Sequence, residues 1–125
     1  MGKFATAVNC MDGRVQIPVI EYIKNKYEVD YVDMITLQGP NKLLAESKDK
    51  NAFESIKRRV EISVNVHGSK LIAISGHYDC AGNHANKEIQ IKQIIDAIQV
   101  IKLWFSKVQV IGLWINQNWE IEEVK

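Results

Sequence analysis

The sequence predicts an α/β domain with a mainly parallel four-stranded sheet, flanked by helices and extended by a C-terminal edge strand. Short apolar runs of strand length alternate along the chain with segments whose apolar residues recur at helical spacing. The chain has 125 residues, of which 46% are hydrophobic, so it is long enough to bury a core of its own. We therefore treat residues 1–125 as a single domain.

The first half of the chain predicts strand, helix, strand and helix. Residues 3–9 form a short β-prone run, and Pro18 suits the first turn of a helix whose apolar residues continue to about Tyr27. Residues 31–37 have strand length and are closed by the turn signal Gly39-Pro40. A polar connection at residues 46–50 then leads to a second helix.

Asn51 and Glu54 resemble a capping pair for that second helix, which is predicted to stop at Gly68. Its apolar face is formed by Phe53, Ile56, Val60 and Val64.

The second half predicts strand, helix, strand and a final edge strand. Residues 70–75 have a nearly continuous apolar centre, as expected for a strand covered on both faces. Residues 108–115 form the fourth strand and residues 119–124 the edge strand. The helix between the third and fourth strands follows a possible cap at Asn86. It has one apolar face, formed by Ile91, Ile94, Ile95, Ile98, Ile101 and Phe105. This order is that of a parallel sheet with right-handed crossovers.

Charge and composition exclude several classes of protein. The 16 Lys and Arg residues balance 15 Asp and Glu residues, so the formal charge of +1 argues against a nucleic-acid-binding protein. No apolar run approaches the roughly 18 residues of a membrane span, and the first residues do not resemble a signal peptide. We expect a cytoplasmic protein that binds neither membrane nor nucleic acid. Its two cysteines are then expected to be thiols or metal ligands rather than a structural disulfide.

Cysteine and histidine residues follow two of the predicted strands where those strands end. Cys10 comes after the first strand, and His77 and Cys80 come after the third. Because loops beyond the carboxyl ends of parallel strands share one edge of the sheet, we expect these three side chains to meet. Two thiolates and an imidazole suit zinc, and three ligands with an open fourth position are typical of a catalytic zinc site. The alternative is two buried thiols and an unrelated histidine.

Asp12 and Arg14 form a second candidate pair in the first loop. An arginine two residues away can hold a carboxylate in a fixed plane through two charge-assisted hydrogen bonds. Two states are conceivable: Asp12 ligates the metal and closes the site, or Arg14 holds Asp12 and leaves a water on the metal. The alternative is an ordinary exposed salt bridge, which contributes little to stability.

The two motifs together resemble those of the β-class carbonic anhydrases. Residues 10–14 (CMDGR) match Cys-x-Asp-x-Arg after the first strand, and residues 76–82 (GHYDCAG) match Gly-His-x-x-Cys-x-Gly after a later strand. The resemblance implies zinc bound by Cys10, His77 and Cys80, with Asp12 and Arg14 as a catalytic dyad. It also implies a homodimer or higher homo-oligomer. Since nine residues precede Cys10, we expect a short, divergent member without the N-terminal helical arm of typical members.

The function implied by this resemblance is the reversible hydration of carbon dioxide to bicarbonate by a zinc-bound hydroxide, the reaction of a zinc lyase (carbonate dehydratase). Two alternatives stay open. The same site could hydrolyse carbon disulfide or carbonyl sulfide, or Asp12 could be a permanent fourth ligand in a non-catalytic zinc-binding module. No organic cofactor is implied.

Overall fold

Strands and helices alternate along most of the computed structural model, which describes residues 2–124. The elements, in chain order, are β1 (Phe4–Cys10), a 3₁₀ turn (Gly13–Val15), α1 (Gln16–Tyr27), β2 (Tyr31–Leu37), α2 (Pro40–Glu46), α3 (Lys50–Asn65), β3 (Leu71–His77), α4 (Lys87–Trp104), β4 (Gln109–Ile115) and β5 (Ile121–Val124).

The strands form one sheet in the order β2-β1-β3-β4-β5. The first four strands are parallel, and β5 pairs antiparallel with β4. All seven residues of β3 are buried, as expected for a parallel strand covered on both faces. The predicted parallel sheet with a C-terminal edge strand is therefore confirmed, and crossover helices bring the ends of β1 and β3 to the same edge of the sheet.

The core consists of two layers, one on each face of the sheet. Alternate residues of β3 show the division, because Leu71 and Ala73 join the layer beneath α1, whereas Ile72 and Ile74 join the layer beneath the other helices. The first layer includes Val19 and Ile23 of α1. The second layer is built from α2, α3 and α4, which contribute Leu44, Ile56, Val60, Ile94, Ala97 and Ile101.

Helix α2 was not predicted from the sequence. Gly39-Pro40 indicated only a turn, but Pro40 begins the helix directly after Gly39, whose φ of 54° makes the turn. Proline suits the first helical position because its missing N–H would have no partner there. The helix has seven residues, which is too short to show a clear apolar period.

Two other details of the sequence analysis were wrong. The residue that caps α3 is Asp49 rather than Asn51, because the Asp49 carboxylate accepts a hydrogen bond from the Ala52 amide. Ile95 is 41% exposed, whereas its neighbour Ile94 is fully buried. Adjacent residues point about 100° apart on a helix, and the core-facing direction of α4 is that of Ile94. The predicted cap at Asn86 is confirmed, since its side chain accepts a hydrogen bond from the Ile89 amide.

Within residues 2–124, no helix has both the length and the apolar character required to cross a membrane.

Candidate metal centre

Cys10, His77 and Cys80 meet at the carboxyl edge of the sheet. Cys10 is the last residue of β1 and His77 is the last residue of β3, the strand that lies beside it. Cys80 follows in a tight turn in which Asp79 has a φ of 57°. One ligand atom from each of the three residues lies within 4.8 Å of the other two, and all three side chains are buried. This group could hold a metal ion.

The imidazole of His77 is oriented as a metal ligand requires. Its Nδ1 lies 2.7 Å from the carbonyl oxygen of Tyr78, which accepts the Nδ1–H bond. In this tautomer Nε2 carries a free lone pair, and that atom is buried without a hydrogen-bond partner among the residues described. Buried polar atoms rarely lack a partner. A metal ion bound at Nε2 would satisfy it, so the three residues fit a metal.

The two sulfur atoms lie 3.8 Å apart, within hydrogen-bonding distance of each other. The hydrogen bond from the Cys80 thiol, more than any other contact, lowers the pKa of Cys10, and the same bond raises the pKa of Cys80. Backbone N–H groups of Gly39 and Asp12 also favour the thiolate of Cys10. Burial alone would lower the pKa of His77, but its contacts with Cys10 and the Tyr78 carbonyl and the charge of Asp12 together outweigh burial and raise the pKa. The cluster therefore favours a thiolate at Cys10.

Asp12 is held away from this cluster by Arg14. The guanidinium binds the carboxylate through Nε at 3.0 Å from Oδ1 and through Nη2 at 2.6 Å from Oδ2. The Asp12 carboxylate also accepts a hydrogen bond from the Arg14 amide and so caps the 3₁₀ turn. In the part of the chain that the structure describes, Asp12 is not among the residues whose ligand atoms converge.

Arg14 in turn contacts the second loop. Its Nη2 donates to the carbonyl oxygen of Asp79 at 3.1 Å, its Nη1 lies 3.3 Å from the Asp79 carboxylate, and its guanidinium carbon lies 4.5 Å from the ring centroid of Trp119. Arg14 therefore connects the loop of Cys10 to the loop of Cys80. The sequence indicated the pair with Asp12 but not these further contacts.

The ion pair gives the stability of the protein a pH dependence. The Arg14 guanidinium, by hydrogen bonding, lowers the pKa of Asp12 from 3.8 to about 2. A carboxyl whose pKa is lower in the folded than in the unfolded state stabilises the folded state at any pH above the unfolded-state pKa. This stabilisation is lost as the pH falls towards the folded-state pKa, here about 2. In metal-free protein, Asp12→Asn should therefore be less stable than wild type at pH 6, and the difference should shrink between pH 4 and pH 2. Melting temperatures across that range test this, with Asp96→Asn, an exposed carboxylate on α4, as the control.

The loop after β2 completes the wall of the centre, because glycines permit a close approach. A Cβ atom added at Gly82 would lie 2.6 Å from Cβ of Gln38, and one added at Gly39 would lie 3.0 Å from the carbonyl oxygen of Gly82. No side chain fits between these two loops. Glycine at both positions allows the Gly39 amide to reach the sulfur of Cys10.

The first loop is held by two side chains that bind its backbone. Asn9 is buried and donates to the carbonyl oxygen of Val15 at 3.1 Å, while it accepts a hydrogen bond from the Ser75 hydroxyl at 2.6 Å. Gln16 donates to the carbonyl oxygens of Cys10 and Asp12 at 2.6 and 2.9 Å. Gln16 supports the loop backbone, and Gln38 is exposed.

The second loop depends on Gln90, which the sequence analysis missed. Gln90 lies on α4 and is 1% exposed. Its Nε2 donates to the carbonyl oxygens of His77 and Ala85 at 3.0 and 3.1 Å, and its Oε1 accepts a hydrogen bond from the His77 amide at 3.2 Å. It also accepts one from Asn41 at 3.3 Å. One side chain therefore fixes the backbone on both sides of the metal-ligand motif.

Helical spacing contained a signal for this residue. Gln90 precedes Ile94, Ala97 and Ile101 on the buried face of α4, where an apolar residue would be expected. A glutamine at a core position needs partners, so its placement indicates a buried polar network.

Gln90→Leu should weaken both stability and metal binding. The leucine has similar size but leaves the His77 amide and carbonyl without partners, at about 1–3 kcal/mol for each unsatisfied group. We expect a lower melting temperature and a metal affinity reduced about 10- to 100-fold, as for other residues that orient metal ligands. Calorimetric unfolding and a competitive chelator titration measure the two effects. Gln99→Leu, at an exposed position of the same helix, is the control. Unchanged metal affinity in Gln90→Leu would contradict the assigned role.

A small cavity of about 90 Å³ lies beside the cluster and is lined by Asp79, Cys80, Asn83, His84 and Ala85. It is large enough for water or a small molecule. His84 is exposed at this cavity and does not belong to the group of converging ligand atoms.

Comparisons with known proteins agree with this architecture. The whole chain, residues 1–125, matches the family described as "Putative carbonic anhydrase". No curated protein sequence matches it significantly.

Solved structures of similar fold include β-carbonic anhydrase isoform I from Trichomonas vaginalis, with 16% identity, a TM-score of 0.64, and 95% of this chain and 81% of that chain covered. A carbonic anhydrase from Streptococcus mutans has 14% identity and a TM-score of 0.64 over 96% of this chain and 81% of that one. Tetrameric β-carbonic anhydrases from Sordaria macrospora are represented by a chain with 15% identity and a TM-score of 0.55, over 98% of this chain and 80% of that one. At these identities the likeness shows the fold.

Proposed function

The chain belongs to the carbonic anhydrase family that its full length matches, and from this premise we propose that it is a zinc enzyme that hydrates carbon dioxide reversibly to bicarbonate. In this proposal Cys10, His77 and Cys80 are the zinc ligands, and Asp12 and Arg14 are the catalytic dyad. The proposed reaction needs no organic cofactor. We expect the enzyme to act in the cytoplasm.

The observation that carries the proposal is the combination of three converging ligands with a restrained carboxylate. Nε2 of His77 is buried without a partner near two cysteine sulfurs, and this set of donors suits zinc. Asp12, the carboxylate closest in sequence to Cys10, is engaged with Arg14. This arrangement favours a catalytic site with an open fourth position over a closed structural site.

Zinc bound there would supply hydroxide near neutral pH, because it lowers the pKa of a coordinated water to about 7. The residues of the chain then perform three tasks. Arg14 fixes the plane of the Asp12 carboxylate. Asp12 accepts a hydrogen bond from the nucleophile and thereby directs a lone pair of its oxygen at carbon dioxide. Tyr78 holds the His77 ring through its carbonyl oxygen.

The reaction forms one carbon–oxygen bond and shifts one carbon–oxygen π pair onto oxygen, which gives bicarbonate. The proton of the incoming water leaves to buffer. A carboxylate that keeps its charge at every working pH is suited to accepting the hydrogen bond, and the lowered pKa of Asp12 provides such a group.

The proposal is tested by metal analysis and stopped-flow hydration of carbon dioxide on the same sample. We expect about one zinc per chain and hydration that chelation abolishes and zinc restores. Hydrolysis of carbonyl sulfide or carbon disulfide without hydration of carbon dioxide would favour the alternative substrates. One zinc per chain with neither activity across the pH range would favour the non-catalytic module.

We expect a homodimer or larger homo-oligomer in solution. The relatives from Sordaria macrospora are described as tetrameric, and this small chain exposes several large apolar side chains, among them Leu103 at 86% and Ile17 at 65%. Light scattering at working concentration measures the oligomeric state. A monomer that retains activity would show that self-association is dispensable.

A further inference from the structure

A second polar network lies at the amino-terminal edge of the sheet, opposite the candidate metal centre. Asp33 of β2 accepts hydrogen bonds from Nδ1 of His67 and from the Ser63 hydroxyl, each at 2.7 Å. The Thr6 hydroxyl lies 2.6 Å from that of Ser63 and donates to Ser69 at 2.7 Å. Thr6, Ser63 and Ser69 are buried. Asp33 therefore binds the imidazole directly, and hydroxyls from β1, α3 and the loop before β3 extend the network behind it.

This network fixes the ring of His67. Its Nδ1 is committed to Asp33, and its face stacks on the ring of Phe4 with a centroid distance of 4.2 Å. Burying polar groups costs free energy unless each is hydrogen-bonded, and these hydroxyls are placed where they bond one another. The result is an imidazole whose second nitrogen has a defined direction, although its side chain stays 36% exposed.

His67 lines a cavity of about 390 Å³ together with two lysines, Lys3 and Lys70. Phe4, Val29 and Leu71 supply apolar walls. Among the described residues no Asp or Glu lines this cavity. Two carboxylates lie beside the cavity, and each already binds a residue that lines it: Asp33 binds His67, and Asp30 accepts the backbone N–H of Lys3 at 2.7 Å.

We propose that this cavity is a second ligand site, which binds a small organic anion with an apolar or aromatic body. Its volume lies in the range of small-molecule sites, which combine apolar walls with a few fixed polar groups. Lys3 and Lys70 contribute positive charge at the end of flexible stems, and His67 contributes the oriented nitrogen. The cavity begins at the first residues of β1 and β3, whereas Cys10 and His77 are their last residues. Six steps of about 3.3 Å separate the two sites by roughly 20 Å, so the second site is distinct from the metal centre.

Binding is tested with 1-naphthoate as the probe and the neutral 1-naphthylmethanol as its matched control, on zinc-loaded protein. Fluorescence titration should give saturable binding of naphthoate and much weaker binding of the alcohol. Lys3→Gln and Lys70→Gln should each weaken the binding of naphthoate about two- to fivefold, the size of the effect of an exposed charge contact. The affinity of the double variant for naphthoate should fall by the product of the two factors. Lys92→Gln, which removes an exposed lysine of α4, should change nothing.

The three histidines of the chain locate the probe independently. In NMR spectra the ring signals of His67 should shift on titration, while those of His77 and His84 stay in place. This readout needs no substitution and so does not depend on the folding of a variant. Equal affinity for the alcohol, an equal effect of Lys92→Gln, or a shift of His77 in place of His67 would each overturn the proposal.

Discussion

Arg14→Ala is expected to keep zinc and to lose about 100-fold in the rate of carbon dioxide hydration, the upper end of the range for groups that orient a metal site. Four hydrogen bonds from Arg14 hold the Asp12 carboxylate and its loop. Without the guanidinium, Asp12 is free to ligate the metal and complete its tetrahedron with a carboxylate oxygen at about 2.0–2.2 Å. Stopped-flow kinetics and zinc analysis measure the two parts of this prediction.

Cobalt substitution distinguishes a closed site from a merely loosened one. We propose that the fourth position of the wild-type site is open, so added azide should perturb the visible spectrum of the cobalt-loaded wild type but not that of Arg14→Ala. A second substitution, Asp12→Ala, should restore the response to azide without restoring full activity, because the group that orients the nucleophile is gone. Arg59→Ala, whose guanidinium binds Ser55 of its own helix, is the control. If Arg14→Ala hydrates carbon dioxide as well as wild type does, the dyad is an ordinary salt bridge.

Cys80→Ser is expected to lose stoichiometric zinc and, with it, activity. A hydroxyl is a poor zinc ligand, whereas a thiolate is a good one. Competitive chelator titration should show a loss of affinity much larger than that of any variant outside the ligand set.

The same variant should no longer gain thermal stability from zinc. A ligand that binds only the native state stabilises it by about 2.7 kcal/mol at 100 times its dissociation constant. The melting temperature of wild type should therefore rise on zinc addition, and that of Cys80→Ser should not. His84→Gln changes the same loop outside the cluster and should behave as wild type does. Wild-type zinc affinity in Cys80→Ser would remove Cys80 from the ligand set.

Much of the fold follows from the sequence because a strand buried on both faces, such as β3, is a nearly continuous apolar run, and the edge strand β2 is closed by a turn signal. The second strand was predicted with the bounds the structure gives, residues 31–37, and the third differs by a residue or two at each end. Strand ends then place Cys10 and His77 at one edge, which is why the converging group could be anticipated. Local caps were less predictable, since Asp49 and Asn51 both suit the start of α3 and only the backbone geometry separates them.

The supporting contacts of the site could not be predicted from local patterns. Gln90 finds one partner, Asn41, 49 residues away, and Arg14 reaches Asp79 across 65 residues. Such pairs depend on how the loops after different strands pack together. The stacking of Arg14 on Trp119 depends further on a turn in which Trp119 has a φ of 62°. Sequence spacing therefore predicts which side chains reach the edge of the sheet, but not what holds them there.

The separation of the two ligand loops along the chain has a consequence for folding. Cys10 and Cys80 are 70 residues apart, and they come together only when β1 docks beside β3, with α1, β2, α2 and α3 formed or looped out between them. Closing such a loop costs entropy before any contact compensates for it, which slows the pairing of distant strands. High-affinity uptake of metal cannot precede that docking. During refolding, the appearance of chelator-resistant zinc should therefore mark the moment at which the two halves of the sheet join.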